Sequence, residues 1–242
     1  MEETTLDFKH IATVAEKYLY EFSLSCPYGF QRTATYQEAR LDRVPDELMG
    51  HFLPSGYRRH GDSLYRMNCA GCDACTPIRL QPVALRYTRN QRRVAAKNRD
   101  ISVQIREPEL RAETLDVFRK FLRTRFPESK YPPDESYRHF FANRITNTKE
   151  IHFRRGKKLI GISVVDLGKG WVNAVYFYFD PDEGRRSPGT FNVIHLNEFC
   201  KHEAIPYLYL GYWTPDIKAM RYKNRFRPHQ LLKNGEWVTL TS

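Results

Sequence analysis

The run Cys69-Ala70-Gly71-Cys72-Asp73-Ala74-Cys75 places three thiols within seven residues. Side chains that close together belong on one tight turn, and such a turn can aim several sulfurs at a single point. That geometry suits a soft metal ion or an iron–sulfur cluster. A fourth ligand has to come from elsewhere, and Cys26 is the candidate. Strands are expected on either side of the turn, at 64–67 and 76–80. Five cysteines, an odd number, argue against a disulfide framework. Cys200, in an apolar helical context, reads as a small buried hydrophobe.

A chain of 242 residues with 28% charged side chains can bury a full core as one large domain or two small ones. No apolar run approaches the roughly 20 residues of a membrane span. The first residues, MEETTLDFKH, carry neither the basic nor the apolar region of a secretory signal. A cytoplasmic protein is the expectation. The net charge is +11. It is concentrated in two clusters: Arg86, Arg89, Arg92, Arg93, Lys97 and Arg99, then Lys218, Arg221, Lys223, Arg225 and Arg227. Tyr87, Tyr222 and Phe226 are interleaved with these charges. Cations neutralise phosphates and aromatics stack on unpaired bases, so RNA is favoured as partner over a merely solvated face.

The chain changes character near its middle. Residues 1 to about 20 read as a short helix or a disordered lead, and 90–98 as a basic helix. Leu115, Phe118 and Leu122 recur at helical spacing in a helix expected over 110–125. Pro127, Pro132 and Pro133 end it, and Asp134 or Ser136 is expected to cap a second helix carrying Tyr137, Phe140, Phe141 and Ile145. Segments 151–155, 158–167 and 171–179 read as an antiparallel meander turned at Gly156 and at Gly168 with Gly170. A helix over 190–202 and a buried strand over 206–210 follow. Tyr207 and Tyr209 on that strand read as core.

This order is similar to the core of the N-acetyltransferase (GNAT) superfamily, where the helix after the central strand presents its N-terminus to an anionic donor. Those enzymes carry an [Arg/Gln]-x-x-Gly-x-[Gly/Ala] turn there. Arg186-Ser187-Pro188-Gly189-Thr190-Phe191 matches the Arg and the first Gly but ends in Phe. The plain alternative is an ordinary turn with Ser187 as N-cap. The fold expected is α+β: a GNAT-like transferase domain over 106–242 behind a Cys- and Arg-rich module over 1–105.

Several segments together resemble the bacterial aminoacyl-tRNA–protein transferases, relatives of the arginyl-tRNA–protein transferases. Asn68 to Arg79 resembles their Cys-x-x-Cys-x-x-Cys-x-Pro-x-Arg signature, and Asn90-Gln91-Arg92-Arg93 a second element. Tyr178-Phe179-Asp180-Pro181-Asp182 and Ser187-Pro188-Gly189-Thr190-Phe191 resemble a third. The most specific block runs from Tyr207 through Gly211-Tyr212-Trp213 and Lys218 to Arg227-Pro228. The similarity spans residues 20 to 232. The family's usual Cys-x-Tyr-Leu-Pro opening becomes Cys26-Pro27-Tyr28-Gly29-Phe30, and its later Arg is Thr35. That segment is linked to acceptor choice in the family.

The resemblance implies transfer of an amino acid from its charged tRNA to the N-terminal Asp or Glu of an acceptor protein, marking it for degradation by the N-degron route. Leucine is the favoured donor residue and arginine the alternative. Transfer from an activated ester requires no cofactor, while zinc or an iron–sulfur cluster on Cys26, Cys69, Cys72 and Cys75 is open. Asp180, Glu198 and Tyr212 are the candidates for proton transfer and catalysis. Arg92, Arg93, Arg186, Ser187, Gly189 and Thr190, with Lys218, Tyr222, Lys223, Arg225 and Arg227, are the candidates for holding donor and tRNA. A coenzyme A-dependent acetyltransferase and a non-enzymatic, metal-dependent RNA-binding protein stand as further alternatives.

Overall fold

A computed structural model describes residues 17, 19–128, 132–142 and 145–241. The lead expected over residues 1 to about 20 lies almost wholly outside them. Three strands rich in β-branched and aromatic residues organise the rest. They are β7 (Thr148–Arg155), β8 (Lys158–Gly168) and β9 (Trp171–Phe179), paired antiparallel as a meander. β6 (Ile101–Arg106) adds to one side. On the other side β10 (Tyr207–Trp213) lies parallel to β9, followed by β5 (Thr76–Leu80), β11 (His229–Lys233) and β12 (Glu236–Leu240). The result is an eight-stranded sheet in a mixed α+β fold.

A second, four-stranded sheet is built from β1 (Tyr20–Ser25), β2 (Thr33–Arg40), β4 (Ser63–Met67) and β3 (Arg58–His60), in that spatial order. The boundary expected at 105/106 cuts β6 one residue before its end, and strands from both sides of it share the large sheet.

One face of the large sheet is covered by α2 (Arg89–Lys97) and α5 (Pro188–His202), whose Val94, Val193, Ile194, Leu196 and Cys200 join the main core. Cys200 is fully buried and its thiol is pushed up to about 12 by that burial, as its apolar context led one to expect. The other face carries two packs. At one end α3 (Ala112–Arg125) and α4 (Pro133–Phe140) bury Phe118, Phe121 and Tyr137 against Ile162, Val164 and Tyr178. At the other end α1 (Asp46–Phe52) and the small sheet bury Met49, Phe52, Tyr57 and Leu64 against Trp171 and Tyr209. Among the described residues no helix is long and apolar enough to cross a membrane.

Two local expectations are corrected. α4 is preceded by Pro132, with no side-chain cap from Asp134 or Ser136, and it ends at Phe140, so Ile145 lies beyond it. A proline at the first turn lacks only an N–H that the helix has no use for, which makes a side-chain cap dispensable. Ser187 does occupy the N-cap position of α5, but its backbone is left-handed (φ 55°) and its hydroxyl makes no cap bond.

The small sheet is fastened to the large one by a buried ion pair. Arg59 Nε donates to Asp166 Oδ2 at 2.9 Å and Nη2 to Asp166 Oδ1 at 2.9 Å, with both side chains fully buried. Thr148 and Asn173 donate to the same carboxylate at 2.8 and 3.0 Å, and Arg59 Nη1 reaches Gly61 O at 2.7 Å. Removing one member strands a buried charge. Asp166→Asn is expected to cost about 3–5 kcal/mol in chemical denaturation, and the double change Arg59→Met/Asp166→Leu much less.

Candidate active site

β9 and β10 pair over only three positions, Trp171–Asn173 with Tyr207–Tyr209, and then part. Parting is reinforced by irregularity on both strands. β9 carries an extra residue at Val175 where the register with Val164 and Val165 shifts, and β10 shifts register between Tyr209 and Gly211. A bulge takes a residue out of the ladder and bends its strand. The strands diverge and a cavity of about 750 Å³ opens beside them.

The cavity has two kinds of wall. Phe118, Leu122 and Phe126 from the α3 region, Phe140 and Phe141 from the α4 region, and Val175 make a largely apolar end, to which α3 also brings the exposed Arg125 and α4 brings Ser136. Arg58 and Tyr65 from the small sheet, Tyr28 from its β1–β2 loop, and Tyr212 and Lys223 make the polar aromatic end. Glu128 is the one carboxylate among the described residues of the lining.

Arg58 owes its place to Gly211. That glycine has φ +85°, and a β-carbon built on it would stand 1.2 Å from Arg58 Nη1. The guanidinium thus occupies the room that any other residue at 211 would fill, and it stands over the Tyr212 ring at 5.5 Å. Lys223 Nζ donates to Tyr212 O at 2.7 Å. Burial, helped by the charge of Arg58, pulls this lysine down to about 7. Tyr212 is itself locked: its hydroxyl accepts from Met67 N at 3.2 Å and donates to Gly56 O at 3.3 Å. Burial pushes that phenol far up, so its ring lines the cavity while its oxygen ties β10 to the small sheet.

A smaller groove of about 420 Å³ lies nearby, lined by Thr88, Gln91, Thr190, Tyr222, Arg225 and Arg227 among others. Thr88 and Gln91 form a capping box at the start of α2, and Gln91 Nε2 donates to Arg225 O at 3.0 Å. Lys97 and Asn98 at the other end of α2 donate to Arg185 O and Arg186 O. These bonds fix α2 against the segment that leads into α5. The single-turn 3-10 helix Arg221–Arg225 serves both cavities, since Tyr222 lines the groove and Lys223 the larger cavity.

The structure therefore gathers Tyr212 and Lys223 at the cavity, and Thr190, Tyr222, Arg225 and Arg227 at the groove. Arg92 and Arg93 lie exposed on α2, and Lys218 is exposed in the turn after β10. Gly189 is the second residue of α5, beside Thr190. Arg186 is paired with Asp100 at 2.7 Å and with Glu183 at 3.2 Å. Asp180 lines neither cavity; Lys120 and Lys158 both reach it at 2.6 Å and hold it ionised against the opposing effect of burial. Glu198 lies on α5 and accepts from Tyr87 at 2.6 Å. Burial would raise Glu198, but bonds from Tyr87 and Lys201 hold it low. Arg58 was not among the residues that the sequence singled out. Its neighbours Tyr57 and Arg59 give no periodic signal, and only its packing on Gly211, inside the distinctive Gly211-Tyr212-Trp213 block, marks it.

The cysteine loop backs the polar end of the cavity. Cys69 Sγ accepts from Thr35 N at 3.3 Å, and Arg32 donates to Gly71 O at 3.4 Å. Burial, then Cys69, Cys26 and Cys72, push the Cys75 thiol up to about 12, so the four sulfurs share one neighbourhood. As placed they do not form a ligand set: among the described residues no three His, Cys, Asp or Glu side chains are arranged to hold a metal ion. The donor chemistry suits a soft metal and the arrangement does not.

With this geometry the chain is, by class, an aminoacyl-tRNA–protein transferase. It belongs to the family described as arginine-tRNA-protein transferase, whose C-terminal model matches residues 113–233 and whose N-terminal model matches residues 24–93. The aspartate/glutamate leucyltransferase of Hahella chejuensis is 33% identical over 219 residues, covering 89% of this chain and 93% of the relative. That of Nitrosococcus oceani is 37% identical over 229 residues, covering 91% and 96%. Among solved structures, L-PGS from Bacillus licheniformis is similar over 85% of this chain and 59% of that one, at 11% identity and a TM-score of 0.43, too distant to argue from.

The packing of Arg58 on Gly211 yields a stability test. Gly211→Ala is expected to cost about 1 kcal/mol or more in denaturant titration, because an alanine there is strained and displaces the guanidinium. In an Arg58→Ala background the same change should cost less, leaving only the part due to φ +85°.

Proposed function

We propose that the cavity is where an aminoacyl ester, carried on the 3′ end of tRNA, meets the N-terminal amine of an acceptor protein, and that leucine is the residue transferred. The observation that carries this reading is the two-ended cavity: largely apolar and aromatic on the α3 and α4 side, where Arg125 is the one cation of the described lining, and rich in basic groups on the small-sheet side. An apolar side chain is accommodated by the first wall. An arginyl side chain would call for a carboxylate, and the described lining offers only the exposed Glu128. The names of the curated relatives, which specify aspartate or glutamate and leucine, agree with both ends.

In this reading the amine attacks the ester carbonyl. A C–N bond forms, the C–O bond to the ribose breaks, and a proton passes from the amine to the departing ribose oxygen. The ester is already activated, so neither ATP nor coenzyme A is needed. An α-amino group titrates at about 7.7–8.0, so an appreciable neutral fraction is present near pH 7 without a strong base. The bulged backbone at Val175, beyond the last rung shared with β10, is the candidate oxyanion donor. Divergent parallel strands with such a bulge support the acetyltransferase-like reading of the core. The pairing of Arg186 with Asp100 and Glu183 argues against a coenzyme A pyrophosphate there.

The groove, with Arg225, Arg227 and the starts of α2 and α5, is assigned to the tRNA 3′ end, and Arg92 and Arg93 to phosphates further along. The Cys-bearing small-sheet module is assigned to the acceptor side, and the large-sheet domain to the donor. The new N-terminus would then mark the acceptor for degradation.

Labelled leucine from Leu-tRNA is expected to appear on peptides beginning with Asp or Glu. No transfer to any N-terminus from either Leu-tRNA or Arg-tRNA defeats the reading, and transfer of arginine alone reverses the donor assignment. Arg225→Ala is expected to weaken tRNA binding and to flatten the log K against log salt plot by about one unit.

A further inference from the structure

Arg58 and Lys223 are two basic side chains at one end of a cavity, and among the described residues neither meets a carboxylate. Both are held on consecutive residues of β10: Arg58 fills the space over Gly211, and Lys223 donates to Tyr212 O at 2.7 Å. The Nε of Arg58 is buried and has no hydrogen-bond acceptor. Buried donors are nearly always paired, so an orphan at a cavity wall asks for a partner from outside. The charge of Arg58 also bears on Lys223, adding to burial in disfavouring its ammonium form. An anion placed between the two would restore the ammonium form of Lys223 and relieve its repulsion from Arg58.

The shape of the surroundings narrows the anion. Tyr212 lies under the guanidinium, with Tyr65 edge-on to it at 6.2 Å. These rings would pack on the short methylene stem of an acidic side chain. Phosphate recognition already has a separate home in the groove with Arg225 and Arg227. A carboxylate presents two oxygens and about four lone pairs, enough to accept from an arginine fork and from an ammonium at once.

We propose that Arg58 and Lys223 form the receptor for the side-chain carboxylate of the acceptor's first residue. The proposal rests on reading the cavity as the meeting place of ester and amine. The rigid guanidinium fixes the position of the carboxylate. The lysine, on a flexible four-carbon stem, follows it over the one-methylene difference between Asp and Glu. Asn and Gln offer a neutral amide whose NH₂ points a donor at a cation, so they are rejected on charge and on hydrogen bonding alike.

The test measures binding and transfer separately. Calorimetry with the full chain compares peptides beginning with Asp or Glu against the same peptides beginning with Asn or Gln. The wild-type protein is expected to prefer the acidic peptides about ten-fold or more. Arg58→Met and Lys223→Met should each abolish most of that preference and leave affinity for Leu-tRNA within about two-fold of wild type. Arg58→Lys, which keeps the charge and loses the fork, should retain part of the preference and serves if the methionine variant fails to fold. No preference in the wild-type protein, or a preference that survives both Arg58→Met and Lys223→Met, overturns the receptor. A loss that falls on tRNA affinity instead overturns it in favour of a phosphate contact. Absence of leucine transfer, with the carboxylate preference and its loss in the variants intact, would defeat the functional reading and leave the receptor standing.

Discussion

The buried pair between Arg59 and Asp166 decides how the two sheets meet. A guanidinium and a carboxylate with no access to water are tolerable only when every donor and acceptor is used, and here Thr148, Asn173 and Gly61 O complete the set. Such a pair admits one geometry. It therefore fixes β3 over β8, and β3 is the strand that delivers Arg58 and His60 to the cavity wall. A hydrophobic contact of equal size would hold the sheets together with less control over register. Tyr212 adds a second fastening, joining β10 to the small sheet through Met67 N and Gly56 O.

The cavity itself exists because a sheet has been left unfinished. Parallel strands with three rungs and then none expose backbone groups that would otherwise be hydrogen-bonded. Register shifts on both strands bend them apart, and aromatic residues of the α3 and α4 region line one side of the opening. Acyl transfer from an activated ester asks little of acid–base groups and much of positioning and oxyanion stabilisation. A site poor in carboxylates and rich in rigid backbone and aromatic rings fits that demand. Asp180 and Glu198, attractive in the sequence as bases, are occupied as anchors for lysines and for Tyr87.

Much of the fold was legible where apolar runs are long. The meander β7 to β9, the helices α3 and α5 and the strand β10 all follow from periodicity, because deep burial leaves little room for polar residues. The small sheet was mostly missed. β1 and β3 are short or exposed, and Arg58, Arg59 and His60 carry no alternation, since one is buried by an ion pair and its neighbours face a cavity. The β11–β12 hairpin had a readable signal in Asn234-Gly235, both with positive φ, as a tight two-residue turn requires. Tyr212 and Lys223 were legible through family resemblance. Arg58 was not, because its role depends on a glycine about 150 residues away, and no local pattern records that contact.

The wall between groove and cavity is one turn of 3-10 helix, with Tyr222 on one side and Lys223 on the other. Adjacent residues are joined by one rigid peptide plane, so a backbone shift at one is passed to the next. The groove and the cavity thus share one short piece of backbone, two inlets served by a single structural part.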